Sequence, residues 1–554
     1  MKRKTIIRGK VVDLLFPNKG IVETPEGNAH VKGVIPGQTI SFVVKRNRPE
    51  YAEGRLQEII ERSELETADP CPHFEKCGGC SYQTLPYETQ TKIKSEQVKK
   101  LLSGVFDRFE NSADENWFEG IIKSPKESEY RNKMEFSFGN EVIDGPLELG
   151  MHKAGRFNDV ISVENCRIVD EDFRSILSET LEFFKSRNIP FYRRSNGEGY
   201  LRHLLVRKGT NTGEIIVDIV TSSAIDFDFT EYVDLLKGLD FKGELVGVLH
   251  TTGDSTGDAV DGSDTELLWG RDYFYDELLG LRFKITPFSF FQTNTLGAEL
   301  LYKKAREYAL SGEDGAEKGI IFDLYSGTGT IAQMMAAVAK KVVGVEIVEE
   351  AVEAAKVNAE LNKLDNTEFI AGDVLKCLDE VEEKPDLIIM DPPRAGAAPK
   401  ALEKILAYGV ERIVYISCKA SSLAFDLEAI LNAGYRVKKV CCVDMFPSTS
   451  GVETVVLLSQ QRPDDHIEIE INLDEIDATS AESKATYKEI EEWVQEHYGF
   501  HVTNLNIAQV KQKHGIIERE NYNKPKSENS RQPGCPKEKV KAIEDAMRHF
   551  QMIK

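Results

Sequence analysis

The chain lacks any run of about 18 consecutive apolar residues, so no segment reads as a membrane-spanning helix. Its first residues, MKRKTIIRGKVVD, contain no apolar stretch of signal-peptide length. A cytoplasmic protein with no membrane partner is the expectation. Cysteine is scarce, nine in 554 residues. In a reducing compartment that argues against a disulfide framework and leaves metal ligation or catalysis for any cysteines that cluster. Neither GxGxxG nor GxxxxGK[ST] occurs, which removes the usual signatures of a dinucleotide or a nucleoside triphosphate. Internal repeats and long low-complexity runs are also absent.

Positive charge is in deficit, with a net charge of −22, but unevenly so. Residues 1–62 carry 12 Lys/Arg against 7 Asp/Glu, residues 464–500 carry 2 against 12, and residues 501–554 carry 11 against 6. Phosphate binding follows the local patch rather than the total, so the acidic balance does not exclude a nucleic-acid partner.

Length and texture divide the chain into four parts. Residues 1–62 read as short strands (GKVVDLL, GIVETPEG, TISFVVKR) between Gly/Pro/Asn turns, the pattern of a small OB-like β-barrel. Residues 63–284 read as a mixed α+β central domain, with a helix near 85–105. Residues 285–463 alternate apolar strands with amphipathic helices, the pattern of a doubly wound α/β domain whose ligands lie at the carboxyl ends of the strands. Residues 464–554 form an extension that turns acidic at PDDHIEIEINLDEID and then reads as a helix, a turn and a basic helix.

The α/β part carries the chemistry. In FDLYSGTGT a strand meets a glycine-rich turn containing Gly327, where backbone can approach a ligand closely. Glu346 ends the next strand, where a carboxylate can bridge two ribose hydroxyls, and Asp373 in AGDV ends the third, suited to an adenine edge. Together these suit S-adenosylmethionine. The prolines of DPPR stiffen the loop that holds Asp391. YISCKA places Cys418 just past the fifth apolar strand, and VETVVLL places Glu453 at the start of a late one. A thiol and a carboxylate beside a methyl-donor pocket suggest a nucleophile and a base for methylating an unreactive carbon. Carbon 5 of uracil is such a carbon: a thiolate adding to carbon 6 activates it, and a base must then remove the carbon 5 hydrogen.

CPHFEKCGGC places Cys71, Cys77 and Cys80 within ten residues, and Cys166 is the candidate for a fourth ligand. Zinc commonly uses two paired knuckles, and no second one appears. Three close cysteines and one remote suit a 4Fe–4S cluster. A zinc site using His73, or no metal at all, are the alternatives. Cys377, Cys441, Cys442 and Cys535 have no ligand spacing and read as structural thiols.

FFQTN, DLYSGTG, GVE, DPPR, the SC of YISCK, and DMFP followed by VET together resemble the RNA (uracil-5-)-methyltransferase family, specifically members with a TRAM domain and an iron–sulfur cluster that act on 23S ribosomal RNA. The likeness spans residues 1 to about 460. It implies that Gln292, Tyr325, Glu346 and Asp391 contact the methyl donor, that Cys418 is the nucleophile and Glu453 the base, and that Cys71, Cys77, Cys80 and Cys166 bind the cluster. It also implies that the barrel is an RNA-binding TRAM domain. The chain departs from the family pattern at Lys419 and Ala420, where SCNP is usual, at Gly451, where a histidine is frequent, and at Ser326 in place of a cysteine.

The expected partner is 23S rRNA rather than DNA, and a monomer is expected. Transfer RNA as substrate is the alternative within enzymes, and a catalytically impaired iron–sulfur RNA-binding protein the alternative outside them. A target base must leave its stack to reach Cys418. Phe288, Phe290 and Phe291 are candidates to stack on it or its neighbours, with core packing expected for at least two of the three. Arg131, Lys133, Arg202, Arg207 and Lys208 are candidates to track phosphates.

Overall fold

Alternation in the first 62 residues closes a sheet on itself. Strands β1 (Ile6–Leu15), β2 (Lys19–Thr24), β3 (Gly27–Lys32), β4 (Thr39–Asn47) and β5 (Ala52–Glu61) form a closed barrel in the order β1-β2-β3-β5-β4. Every second residue along β4 (Ile40, Phe42 and Val44) joins Val11, Val22, Ala29 and Val31 inside. This computed structural model describes all residues except 157, 256, 258–261, 263, 312–318, 382, 461–485, 515–534, 551 and 554. It divides into two compact units, Met1–Arg462 and Pro463–Lys554.

After the cysteine segment come helix α1 (Tyr87–Phe106) and strand β6 (Phe118–Ile122). Seven strands then build the central sheet: β7 (Lys133–Gly139), β8 (Glu148–His152), β9 (Val160–Ser162), β10 (Leu201–Lys208), β11 (Glu214–Thr221), β12 (Glu244–Thr252) and β13 (Thr265–Gly270), in the order β13-β12-β11-β10-β7-β8-β9. Leu204, Val206, Val217 and Ile219 pack against helices α2 (Glu171–Ser186) and α3 (Thr230–Lys237). Ile216 and Leu249, at alternate positions, join the core of the C-terminal α/β part. Burial on both faces explains why EIIVDIVT is a nearly continuous apolar run.

The hairpin β14 (Phe274–Leu278) and β15 (Leu281–Ile285) leads into α4 (Thr295–Leu310) and an eight-stranded sheet. Its strands are β16 (Ile320–Leu324), β17 (Lys341–Glu346), β18 (Thr367–Ala371), β19 (Leu387–Met390), β20 (Arg412–Ser417), β21 (Tyr435–Val443) and β22 (Glu453–Gln460), with β6 added. Helices α5 (Thr330–Ala336), α6 (Glu349–Leu361), α7 (Val374–Glu380), α8 (Pro399–Ala407) and α9 (Ala420–Asn432) connect them. The order is β18-β17-β16-β19-β20-β22-β21-β6.

The sheet and its cover draw on residues that the sequence reading assigns to 63–284. β6 pairs in parallel with β21, Val440 opposite Phe118 and Val443 opposite Ile122. α1 buries Val98, Leu102, Val105 and Phe106 in the same core as Leu427 and Ile430 of α9. A sheet edge left bare would expose unpaired backbone groups, and β6 covers it.

In the second unit, α10 (Tyr487–Tyr498), α11 (Asn504–Lys513) and α12 (Lys537–His549) share a core of Ile490, Val494, Ile507, Ile543 and Met547. Capping boxes at Thr486 and Thr503 start the first two helices. Most of the acidic stretch lies in 461–485, outside the described residues.

One buried ion pair ties α1 to the segment between β21 and β22. Lys94 Nζ donates to Asp444 Oδ1 at 2.7 Å and to the Phe446 carbonyl at 2.9 Å, with both side chains essentially inaccessible. Removing one partner strands the other charge in the core. Lys94→Ala is therefore expected to lower stability by about 3–5 kcal/mol in urea unfolding; a loss under about 1 kcal/mol would show that the pair holds nothing.

Candidate active site

The carboxyl edge of the catalytic sheet gathers nearly every candidate residue. β16 to β20 run parallel, and Tyr325, Glu346, Asp373, Asp391 and Cys418 lie at or just past their ends. Strand order reverses between β16 and β19, the place where ligands bind in open α/β sheets. β22 is antiparallel to β20, with Thr454 opposite Ser417. Glu453 therefore begins its strand at the edge where Cys418 follows its own.

The glycine-rich turn is held in an unusual backbone state. Tyr325 has φ +65°, a left-handed conformation that bulky residues adopt under constraint. Gly329 has φ +72°, and a Cβ there would stand 2.6 Å from the Phe369 ring and 2.8 Å from Ala355. Glu346 accepts from the Gly327 amide through Oε2 and from the Val348 amide through Oε1, each at 3.0 Å. Asp373 is exposed and caps α7 by accepting from the Leu375 amide at 2.8 Å.

FFQTN is braced from three sides. The Thr328 hydroxyl donates to the Phe290 carbonyl at 3.1 Å, joining this segment to the glycine turn. Asn132 of the central part donates to the Gln292 carbonyl at 2.9 Å. Asn294 caps α4 and donates to the Met445 carbonyl at 2.9 Å, linking FFQTN to DMFP. The Gln292 side chain lies beside the buried Tyr302 hydroxyl and opposes the upward push of burial on it.

Electrostatics single out the same residues. Burial pushes Asp391 up to about 7. Burial, and then the nearby Asp391, push Glu453 up to about 8, with Arg394 opposing. The Cys418 thiol is raised to about 11 by burial and then by Glu453 and Asp391, again opposed by Arg394. Three acids within electrostatic reach of one another, two of them poised near neutrality, can accept and return protons during a reaction. Burial raises Tyr325 to about 12, with Asp373 contributing. Tyr302 and the fully buried Asp323 are both pushed well above their ordinary values by burial, and both feel Asp391. Neither was legible as a site residue, because Tyr302 reads as one core aromatic of an amphipathic helix and Asp323 as a strand residue.

The four cysteines of the other motif also meet. Cys71, Cys77 and Cys166 all lie close enough to Cys80 to raise its thiol, after burial. Protein donors point at the sulfurs: the Gly79 amide at Cys77 (3.4 Å), the Gln83 amide nitrogen at Cys80 (3.6 Å), and the Ile168 and Val169 amides at Cys166. Among the described residues, no group of three or more His, Cys, Asp or Glu side chains is placed to hold a metal ion. His73 is engaged elsewhere, its Nε2 accepting from the Asn165 amide at 3.2 Å.

Residues 263–461 match the family model described as tRNA (Uracil-5-)-methyltransferase. An uncharacterized RNA methyltransferase of Clostridium tetani is 46% identical over 452 residues, covering 81% of this chain and 97% of that protein. The chain belongs to the tRNA/RNA (uracil-5-)-methyltransferase family. A second RNA methyltransferase, from Caldanaerobacter subterraneus subsp. tengcongensis, is 48% identical over 83% of this chain and 100% of its own. Among solved structures, the Pyrococcus abyssi tRNA (uracil-54, C5)-methyltransferase in complex with S-adenosyl-L-homocysteine superposes with a TM-score of 0.61. It is 26% identical and covers 82% of this chain and 100% of its own.

Within this RNA methyltransferase several of the expected phosphate-tracking residues need correction. Arg207 is buried and donates to the carbonyls of Thr286 (2.8 Å), Pro287 (3.1 Å) and Ser289 (2.7 Å), clamping the loop before FFQTN. Lys208 is committed to Asp170 and Asp172, each at 2.5 Å. Arg202 is buried and donates to the Gly253 and Gly257 carbonyls. Of the three phenylalanines, Phe291 is buried and Phe288 half-buried, while Phe290 is 62% exposed beside the glycine turn. Two of the departures sit at the start of α9, where exposed Lys419 is the N-cap and buried Ala420 opens the helix.

The raised acid sets a pH dependence. Between the ordinary carboxyl value of 4.5 and about 8, the folded protein keeps a proton on Glu453 that the unfolded chain has lost. That contribution is fully present below 4.5 and disappears as pH rises through about 8. Glu453→Gln should therefore unfold later than the parent at pH 8, by roughly 1–3 kcal/mol, and the gap should close towards pH 4.5. Parallel pH profiles of the two proteins would contradict this.

Proposed function

We propose that this protein transfers a methyl group from S-adenosylmethionine to carbon 5 of a specific uridine in 23S rRNA. The observation that carries the reading is the β20–β22 register, which brings Cys418 and Glu453 together on the edge holding Tyr325, Glu346 and Asp391.

When bound, S-adenosylmethionine supplies an electrophilic methyl group. Glu346, fixed by two backbone amides, and Gln292, beside Tyr302, are the groups that would hold and orient the donor, with Asp391, Tyr325, Gly327 and Asp373 around them. Cys418 adds as the thiolate to carbon 6 of the uracil, which makes carbon 5 nucleophilic. Arg394 favours the thiolate, and a proton held on Asp391 reduces the negative charge facing it. After carbon 5 is methylated, ionised Glu453 removes its hydrogen as a proton, the carbon 5–carbon 6 double bond re-forms, and the sulfur leaves carbon 6 as the thiolate. A base whose pKa lies near working pH suits that step.

Cys71, Cys77, Cys80 and Cys166 would hold a 4Fe–4S cluster. The nearness of Cys71, Cys77 and Cys166 to Cys80, with amide donors facing the sulfurs, supports that reading. The cluster's contribution is a cross-link that orders the segment around Cys71–Cys80. The barrel serves as a TRAM-type RNA-binding module. Transfer RNA is the second reading, favoured by the Pyrococcus abyssi relative.

With a labelled methyl donor, 23S rRNA fragments should accept methyl groups and transfer RNA should not; the opposite preference would overturn the ribosomal assignment. A 5-fluorouracil-substituted fragment should form a gel-stable adduct that Cys418→Ala abolishes, with turnover falling at least about 10³-fold. Glu453→Gln should slow turnover by about 10²–10⁴-fold while still permitting the adduct. Turnover that survives Cys418→Ala would refute the covalent route. Protein purified anaerobically should be brown and lose iron in Cys80→Ser, and a colourless parent protein would refute the cluster.

A further inference from the structure

The residues from Thr286 to Asn294, between β15 and α4, carry FFQTN with no helix or strand of their own. Their carbonyls are taken one after another by donors from other segments. Arg207 Nη1 donates to the carbonyls of Thr286, Pro287 and Ser289 at 2.8, 3.1 and 2.7 Å. The Thr328 hydroxyl donates to the Phe290 carbonyl at 3.1 Å. Asn132 serves the next two, through Nδ2 to Gln292 and through its amide to Thr293, each at 2.9 Å. Asn132 Nδ2 also donates to the Thr295 hydroxyl at 2.8 Å, and that hydroxyl donates to buried Asp276 at 2.7 Å. The Lys208 amide donates to the Asn132 carbonyl at 2.9 Å, so Asn132 and the strand carrying Arg207 act on the loop as one support.

Stability alone does not account for Arg207. Its side chain is 1% exposed, and its Nε is buried without a hydrogen-bond partner. Burial lowers the guanidinium to about 9, opposed by Asp276. An apolar residue of similar volume would fill the space without burying a charge, and such replacements are neutral or stabilising in many cores. What a guanidinium supplies instead is several donors in a rigid planar fork. Set on three carbonyls between Thr286 and Ser289, it fixes the curl of backbone that leads into Phe290 and Gln292.

Both side chains lie on the donor side of the site. A Cβ added at Gly327 would stand 3.8 Å from the Phe290 ring, and Gln292 lies beside the Tyr302 hydroxyl. We infer that Arg207 and Asn132 are positioning residues for the methyl donor. From the central part they hold the FFQTN backbone so that Gln292 meets the donor and Phe290 stays against the glycine turn. A site on one sheet thus takes its affinity from hydrogen bonds made by another, at a distance from any reacting atom. The inference rests on the reading of Gln292 as a donor-binding residue.

The test is calorimetric titration of S-adenosyl-L-homocysteine into the full chain, with thermal unfolding measured alongside to establish that each variant is folded. Arg207→Met, which fills much of the space and removes the donors, should weaken binding about tenfold or more. Arg207→Lys keeps a cation with three donors and should stay within about threefold of the parent. Asn132→Ala, which frees the Gln292 carbonyl, should weaken binding about fivefold. That variant decides the matter should Arg207→Met fail to fold.

Affinity unchanged in folded Arg207→Met, or unchanged in Asn132→Ala when Arg207→Met does not fold, would overturn the assignment, whatever happens to the unfolding temperature. An Arg207→Lys protein as weak as Arg207→Met would overturn it too, since a change of shape rather than a loss of donors would then explain both. A parent protein that binds no S-adenosyl-L-homocysteine would sink the methyl-donor reading, and this inference with it. A parent that binds it, with variants that bind equally, would sink the positioning role alone.

Discussion

One reversed strand makes the site. A parallel sheet delivers the ends of its strands to one edge, but every such end must be followed by a crossover. β22 runs the other way, between β20 and β21, so its beginning arrives where its neighbours finish. A second reactive side chain is thereby placed beside Cys418, on a rigid strand and at a distance set by backbone pairing. Burial then does the electrostatic work. The same apolar surroundings that raise Glu453 to about 8 and Asp391 to about 7 keep water from competing for the proton being moved.

The loop before β22 has no regular structure of its own and is held from outside. Ser448, at φ +68°, receives the Ser81 and Tyr82 amides on its carbonyl at 2.8 and 2.9 Å. Its amide donates to Gln90 at 2.8 Å, and the Tyr130 hydroxyl donates to the Pro447 carbonyl at 2.9 Å. With Lys94 on Asp444 and Phe446, these contacts join the segment just after Cys80, helix α1 and the approach to Glu453 into one hydrogen-bonded block. The cysteine motif and the acid–base pair, far apart in sequence, share a scaffold.

Much of this arrangement was legible because it repeats short-range rules. The strand ends carrying Glu346, Asp391 and Cys418 follow from apolar runs broken by glycine, proline and charge. The barrel follows from alternation and turns. The pairing of β6 with β21 was not legible, since FEGII is short, weakly apolar and far from its partner. The fates of Arg202, Arg207 and Lys208 were equally hidden, because an arginine that satisfies three carbonyls and one that meets a phosphate look alike in sequence. Only the fold shows which carbonyls surround them. Tyr302 illustrates the same limit, as its position on α4 fits core packing and its hydroxyl partner comes from another segment.

The contribution of α1 and β6 to the catalytic sheet bears on how the chain is made. Both leave the ribosome more than three hundred residues before β21, a wait of roughly 15–60 s at about 5–20 residues per second. During that interval Val98, Leu102, Val105 and Phe106 have no sheet to cover. The nascent chain thus carries an unsatisfied apolar face through most of its own synthesis, and completion of the final strands is what lets its beginning settle.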